Sequence, residues 1–257
     1  MIARLTATLL LAGCMTLAHA GRSCEPRPPE ARNVVRAMVL AEHTARLLDA
    51  SGAQVVVLAR AGQDLSAYGL RYSHLGLAYR DGDHWRVAHK LNQCGSAVAA
   101  LYRQGLGEFF LDDLHEYQAG VVILRADVQA ALLPTLQENQ RLAQLHIPRY
   151  NMVAYPWAQS YQQSNQWAIE TLAMAVDVNA TTRSRAQAWL QLQGYQPTPL
   201  RISAFKRLGA RMTAANVAFD DHPNDKRFSD RIETVTVDSV FAWLHRSGLG
   251  GTVQVVR

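Results

Sequence analysis

Hydrophobic and polar positions follow two periods along this chain. From Glu30 to Ala50 the apolar residues fall at Val34-Val35, Met38-Val39, Ala41, Ala45 and Leu47-Leu48, the three-to-four spacing of an amphipathic helix, and Ser51-Gly52 ends it. Gln54–Arg60 is a β-branched run with the length of a buried strand. Gln63–Gly69 reads as a turn, and Tyr72–Tyr79 and Trp85–Leu91 as two further strands. Gly95–Gly107 is expected to hold a short helix, and Gly120–Leu124 another strand. Asp127 is expected to cap a helix running to about Leu145, kinked or split because Pro134 lies inside it. Tyr150–Tyr161 is aromatic-rich and irregular. Helices are expected from Ser164 to about Val176, from Thr182 to Leu192 and over Leu200–Leu208, followed by a turn-rich Ala218–Pro223. Arg231–Val237 reads as a strand, Ser239–Arg246 as a helix and Thr252–Val256 as a closing strand. This order is that of an α+β domain with an antiparallel sheet packed against helices and a C-terminal helix and strand extension.

The hairpin at residues 72–91 carries the first candidate chemistry. Asp-Gly favours a two-residue turn, since both residues tolerate positive φ. With Asp81-Gly82 as the loop, Ala78 faces Trp85, Gly76 faces Val87, and His74 faces His89. Opposed residues share one side of a sheet with Cβ atoms about 5 Å apart. Two imidazoles that close bind a metal, handle a proton together or form part of a catalytic relay, although single strand histidines are more often structural.

Ser164-Asn165-Gln166-Trp167 is the second informative stretch. Ser164 reads as the N-cap of a helix with Trp167 turned to the core. The same geometry suits a nucleophile, because the unpaired N–H groups of a first turn can stabilise an oxyanion. A histidine from a neighbouring strand would act as base, with a second polar group to orient it.

The first twenty residues look like a secretory leader: Arg4, the apolar Leu5–Ala12, and Ala18-His19-Ala20 before Gly21. Leu11-Ala12-Gly13-Cys14 also matches a lipoprotein box, the alternative being an anchor at Cys14. Cleavage after Ala20 leaves residues 21–257 as a single domain in the periplasm or outside the cell. No later stretch is long and apolar enough to cross a bilayer. In such a compartment Cys24 and Cys94 read as a disulfide, the alternative being a free Cys94 nucleophile. The formal net charge of +5 comes from scattered basic residues. That pattern suits anionic cell-wall polymers or lipid headgroups and points away from dedicated nucleic-acid binding.

Tyr72-Ser73-His74-Leu75-Gly76 resembles the histidine strand of the circularly permuted NlpC-type papain-like proteins. There a Ser-His-Val-Gly-type strand precedes a strand bearing a polar residue, and a cysteine opens a later helix. The resemblance covers roughly residues 55–176. It implies His74 as the base, His89 as the orienting residue and Ser164 at the nucleophile position, where this chain has serine instead of cysteine. Over the whole chain, Arg60–Leu65, Leu91-Asn92-Gln93-Cys94-Gly95, Ser164-Asn165-Gln166-Trp167 and Asp220-Asp221-His222-Pro223 resemble an uncharacterised family of exported bacterial proteins, a domain of unknown function.

The sequence therefore leads to an envelope protein with a Ser164–His74–His89 site acting on an amide or ester, with Asn165 or Gln166 as an added oxyanion donor. The alternative is a non-catalytic binding protein for an envelope peptide, glycan or lipid on the same scaffold. No strand–Gly-x-Gly-x-x-Gly–helix pattern appears, and no cofactor is expected. Asp220-Asp221-His222 with Asp225 reads as a turn, with a metal cluster as the lesser alternative, and His74, His89 and His222 together would suit zinc. Tyr150, Tyr155, Trp157 and Tyr161 read as loop packing, or as the lining of a sugar or lipid groove.

Overall fold

The computed structural model describes residues 28–257. The leader-like segment, Cys14 and Cys24 lie outside the described residues. Cys94 is disulfide-bonded and so is no free thiol.

Six strands form one antiparallel sheet: β1 (Val55–Ala61), β2 (His74–Asp81), β3 (His84–Asn92), β4 (Ala99–Gly105), β5 (Glu116–Ile123) and the last strand, β8 (Gln254–Val256). Their order is β4-β3-β2-β1-β5-β8. A second ladder pairs β6 (Thr198–Arg201) with β7 (Arg231–Thr234). Residues alternate between the two faces of a sheet, and both faces here are buried. Val56, Leu58, Ala78, Val87 and Val121 pack under α1 (Ala31–Ser51) and α2 (Leu106–Phe110). Val57, Ala59, Leu75, Leu77 and Val122 pack under α3 (Ala126–Gln137), α5 (Ser164–Val176) and α9 (Val237–Arg246). This double cover explains why β1 is apolar without alternation.

The hairpin register differs from the one expected. Asp81 pairs with His84 and Ala78 with Val87, so the loop is Gly82-Asp83. Gly82 has φ 60° and is the only residue of the loop with positive φ. That fits a turn of the type that places glycine, with left-handed φ, at its first central position. Continuing the ladder sets Gly76 opposite His89 and His74 opposite Leu91. The displacement is two residues, so every side chain keeps its face.

Three other expectations change. Residues 95–107 hold the edge strand β4, hydrogen-bonded along β3 from Arg86↔Gly105 to Asn92↔Ala99, and the helix starts only at Leu106. The open edge of β3 overrides the helical preference of Ala and Leu. The 127–145 helix is two, α3 and α4 (Asn139–Ala143), with the break at Glu138 rather than at Pro134; Asp127 sits in the first turn of α3, bound by Arg125, and does not cap it. Residues 200–208 divide between β6 and α7 (Ala204–Thr213), which Ser203 caps.

Helix α5 is fixed by buried polar groups as well as by Trp167, Ala168 and Leu172. Glu170, fully buried, accepts from Gln162 Nε2 (2.6 Å) and Arg183 Nε (2.8 Å) at one oxygen, and from Gln187 Nε2 (2.7 Å) and Arg183 Nη2 (3.1 Å) at the other. Lys90 of β3 donates to Gln162 Oε1 at 2.8 Å and to the Ile147 carbonyl at 2.7 Å. Burial, with Arg183 next in weight, pushes the Lys90 ammonium down to about 7 against the pull of Glu170.

Two stability outcomes are expected. A Cβ on Gly76 would lie 2.5 Å from Val87 Cγ1 and 3.2 Å from His89 Cβ. Gly76→Ala should therefore lower the unfolding free energy by about 1–3 kcal/mol in urea titration; unchanged stability would contradict this packing. Glu170→Ala strands Arg183 in the interior and should cost about 3–5 kcal/mol by the same measurement.

Candidate functional site

The candidate site forms at the end of the sheet where β2 begins. His74 Nε2 lies 2.9 Å from His89 Nδ1, with ring centroids 5.2 Å apart. The contact is diagonal across the hairpin, and it passes over the bare Cα of Gly76. The rings lie on the α2 side, where Phe109 packs against His89 at 5.2 Å and His74 at 5.9 Å. His89 is fully buried. The His74–His89 hydrogen bond needs one ring to donate and the other to accept, so it joins two neutral imidazoles without strain.

Arg60 of β1 completes this side. Its guanidinium donates to the Phe109 carbonyl, pairs with Asp112 at 2.7 Å and stacks on the Phe109 ring at 4.9 Å. Burial first, then the positive charge of Arg60, holds His74 well below the ordinary imidazole range. The same two causes push His89 down to about 4. Both rings are neutral at pH 7.

Ser164 enters from the opposite face of the sheet. It is the first residue of α5, and Gln163, not Ser164, is the cap. A cavity of about 170 Å³ brings the two faces together around the end of the sheet: Ser164 and Asn165 line it with His74, Arg60, Asp112 and Tyr150. The Tyr150 hydroxyl engages Ser164, and burial raises the phenol above its usual value, so it stays a protonated donor. Ser164 and His74, ninety positions apart in the chain, thus share one chamber, with His89 behind His74.

Asn165 and Gln166 are committed elsewhere. Asn165 Oδ1 accepts from the Leu75 backbone at 3.2 Å, and its Nδ2 donates to the Val235 carbonyl at 3.1 Å. Gln166 Oε1 accepts from the Gln163 backbone and its Nε2 donates to the Pro156 carbonyl. Both amides position the helix start. The first of them ties α5 to the strand residue next to His74.

The remaining sequence candidates sit apart from the chamber. His222 has both ring nitrogens occupied, Nδ1 by Asp221 at 3.0 Å and Nε2 by the Glu233 carbonyl at 2.9 Å. Asp221 also accepts from the Tyr155 backbone, and Tyr161 donates to Asp220. This is turn chemistry that ties the 150–161 loop to the 218–223 segment. Among the described residues, no group of three or more His, Cys, Asp or Glu is placed to hold a metal ion. Trp157 packs against Tyr195 at 6.0 Å. Sequence reasoning does not reach Arg60, Asp112 or Gln163 as site residues, and it offers Tyr150 only as loop packing or as the lining of a groove. Arg60 gave the one available signal, a cation ending an otherwise apolar buried strand.

A pH dependence follows from the buried rings. His89 ordinarily titrates near 6.5 and does so near 4 when folded. The unfolded chain therefore binds the extra proton first, and stability falls as the pH drops from about 6.5 to about 4. His89 alone contributes up to about 3 kcal/mol of this loss. Urea unfolding at pH 7 and pH 4 should show a smaller difference in His89→Gln than in the parent; equal differences would mean the ring is not held neutral.

No curated protein and no solved structure matches this chain. No helix among the described residues is long and apolar enough to cross a membrane. A family model covers residues 47–244, spanning the hairpin, the chamber and most of α9, and by that match the chain belongs to the DUF2145 family, described as uncharacterized protein conserved in bacteria.

Proposed function

We propose that this chain is an exported hydrolase that cleaves an amide or ester of the cell envelope through Ser164, His74 and His89, in the manner of papain-like enzymes with a serine in place of the thiol. One observation carries the reading. Ser164 and His74 line a common cavity while His89 engages Nε2 of His74, so that in this reading Nδ1 serves the hydroxyl.

The reaction follows from these groups. Ser164 Oγ attacks the carbonyl carbon while its proton passes to His74 Nδ1. The imidazolium then gives that proton to the leaving amine or alcohol as the carbon–nitrogen or carbon–oxygen bond breaks. Water, deprotonated by the same ring, releases the acyl group and restores Ser164. Because the Asn165 and Gln166 side chains serve the scaffold, the oxyanion falls to backbone N–H groups of the first turn of α5 and to the Tyr150 hydroxyl. A neutral His74 is ready to accept a proton. Arg60 opposes the imidazolium that follows, and Asp112 tempers that opposition.

That opposition favours a second reading, a binding protein that holds an envelope peptide, glycan or lipid in the same chamber without turning it over. Export and a Cys24–Cys94 disulfide belong to the proposal in either form. They rest on the leader-like first twenty residues and the bonded state of Cys94.

A fluorophosphonate probe followed by peptide mapping tests the hydrolase. Ser164 should carry the adduct, Ser164→Ala should lose it, and His74→Ala should slow labelling by about 100-fold or more. A parent protein inert to the probe and to a panel of amide and ester substrates would overturn hydrolysis and leave the binding reading.

A further inference from the structure

Helix α7 is built inside out. Residues at i, i+3 and i+7 share one helical face, and on α7 these are Phe205, Leu208 and Met212, with relative exposures of 86%, 59% and 78%. The opposite face holds the helix to the protein. Ala210 packs against the small core of Leu200, Ile202, Phe219 and Ile232. Arg207 donates to the Ile202 carbonyl and pairs with Asp230 at 2.6 Å. The apolar ridge therefore points straight into solvent.

Charge frames that ridge. Lys206 lies on one flank and Arg211 on the other, and the sequence of α7, AFKRLGARMT, contains no acidic residue. Phe228, 74% exposed, ends the neighbouring α8 (Asn224–Phe228), and Arg227 stacks over its ring at 5.0 Å. Asp230, two residues on, is the partner of Arg207, which sets this second aromatic near α7.

We infer that this face docks on an anionic phospholipid surface, with Phe205, Leu208 and Met212 inserted at the headgroup–acyl boundary and Lys206 and Arg211 reaching back to the phosphates. The flanking charges choose the occupant. A row of apolar side chains protruding from a convex helix fits a deformable interface, and cations on both flanks match the level at which lipid phosphates would lie. A single helix of this length gives weak, reversible attachment, strengthened about fivefold by each basic side chain held at the surface. This surface is separate from the Ser164–His74 chamber, so the inference does not depend on the proposed hydrolysis.

The test uses the purified full chain and large unilamellar vesicles, either pure phosphatidylcholine or the same lipid with one third phosphatidylglycerol. The parent should cosediment with the anionic vesicles, less with the neutral ones, and less again in high salt. The triple variant Phe205→Ser, Leu208→Ser, Met212→Ser should lose at least tenfold in partitioning, and Lys206→Gln with Arg211→Gln at least fivefold on anionic vesicles alone. Phe205→Trp should show emission quenched by brominated lipid beyond that of the parent. The inference is overturned if the triple variant partitions like the parent and the Phe205→Trp emission is not quenched. It is equally overturned if the parent ignores vesicles but forms a concentration-dependent dimer that the triple variant abolishes, since the face would then serve a second copy of the chain.

Discussion

The carboxylate of Glu170 is the constraint on which the rest of this fold depends. It is an anion taken wholly out of water, and it is tolerable only because both oxygens are met by fixed donors. Those donors come from two separate stretches: Gln162 before α5, and Arg183 and Gln187 on the following helix. Gln162 in turn receives the Lys90 ammonium from β3. Satisfying one charge therefore fixes the helix that begins with Ser164 relative to the strand that carries His89. An apolar interface could bury the same area, yet it would allow sliding that a hydrogen-bonded charge network does not.

The candidate chamber depends on a topological accident of the sheet end. His74 and His89 face α2, and Ser164 belongs to a helix on the other side. They meet only because β2 starts at His74, so no further strand backbone separates the two layers there. Asn165 fixes the meeting by bonding both Leu75 and Val235. Burial and the charge of Arg60 keep the imidazoles neutral, and Asp112 pairs with Arg60, so the chamber is polar without a net charge from that pair.

Much of this was legible in the sequence, for identifiable reasons. Long periodic segments such as α1, α5 and β1 announce themselves because their apolar spacing is set by one dominant core contact. The imidazole pair was legible too, although its register was not: the turn was assigned to Asp81-Gly82 when the single positive φ belongs to Gly82 at the first central position. An even displacement preserves the face, so the wrong register still delivered the right neighbours. Strand β4 was not legible, because its residues favour helix and only the unpaired edge of β3 draws them into extension. The pairing of Arg60 with Asp112 and of Tyr150 with Ser164 is out of reach for another reason. Their roles arise from contacts between distant segments, and no local pattern encodes those.

Ser164 itself contributes little to the framework that holds it, beyond its contact with Tyr150. The helix start is secured by the neighbouring amides of Asn165 and Gln166, the helix body by Glu170, and among the described residues Tyr150 alone leans on the serine oxygen. Chemistry at this position is thus decoupled from architecture. The same housing would accommodate a sulfur in place of the oxygen, whereas a bare methyl group would leave the buried Tyr150 hydroxyl without its partner.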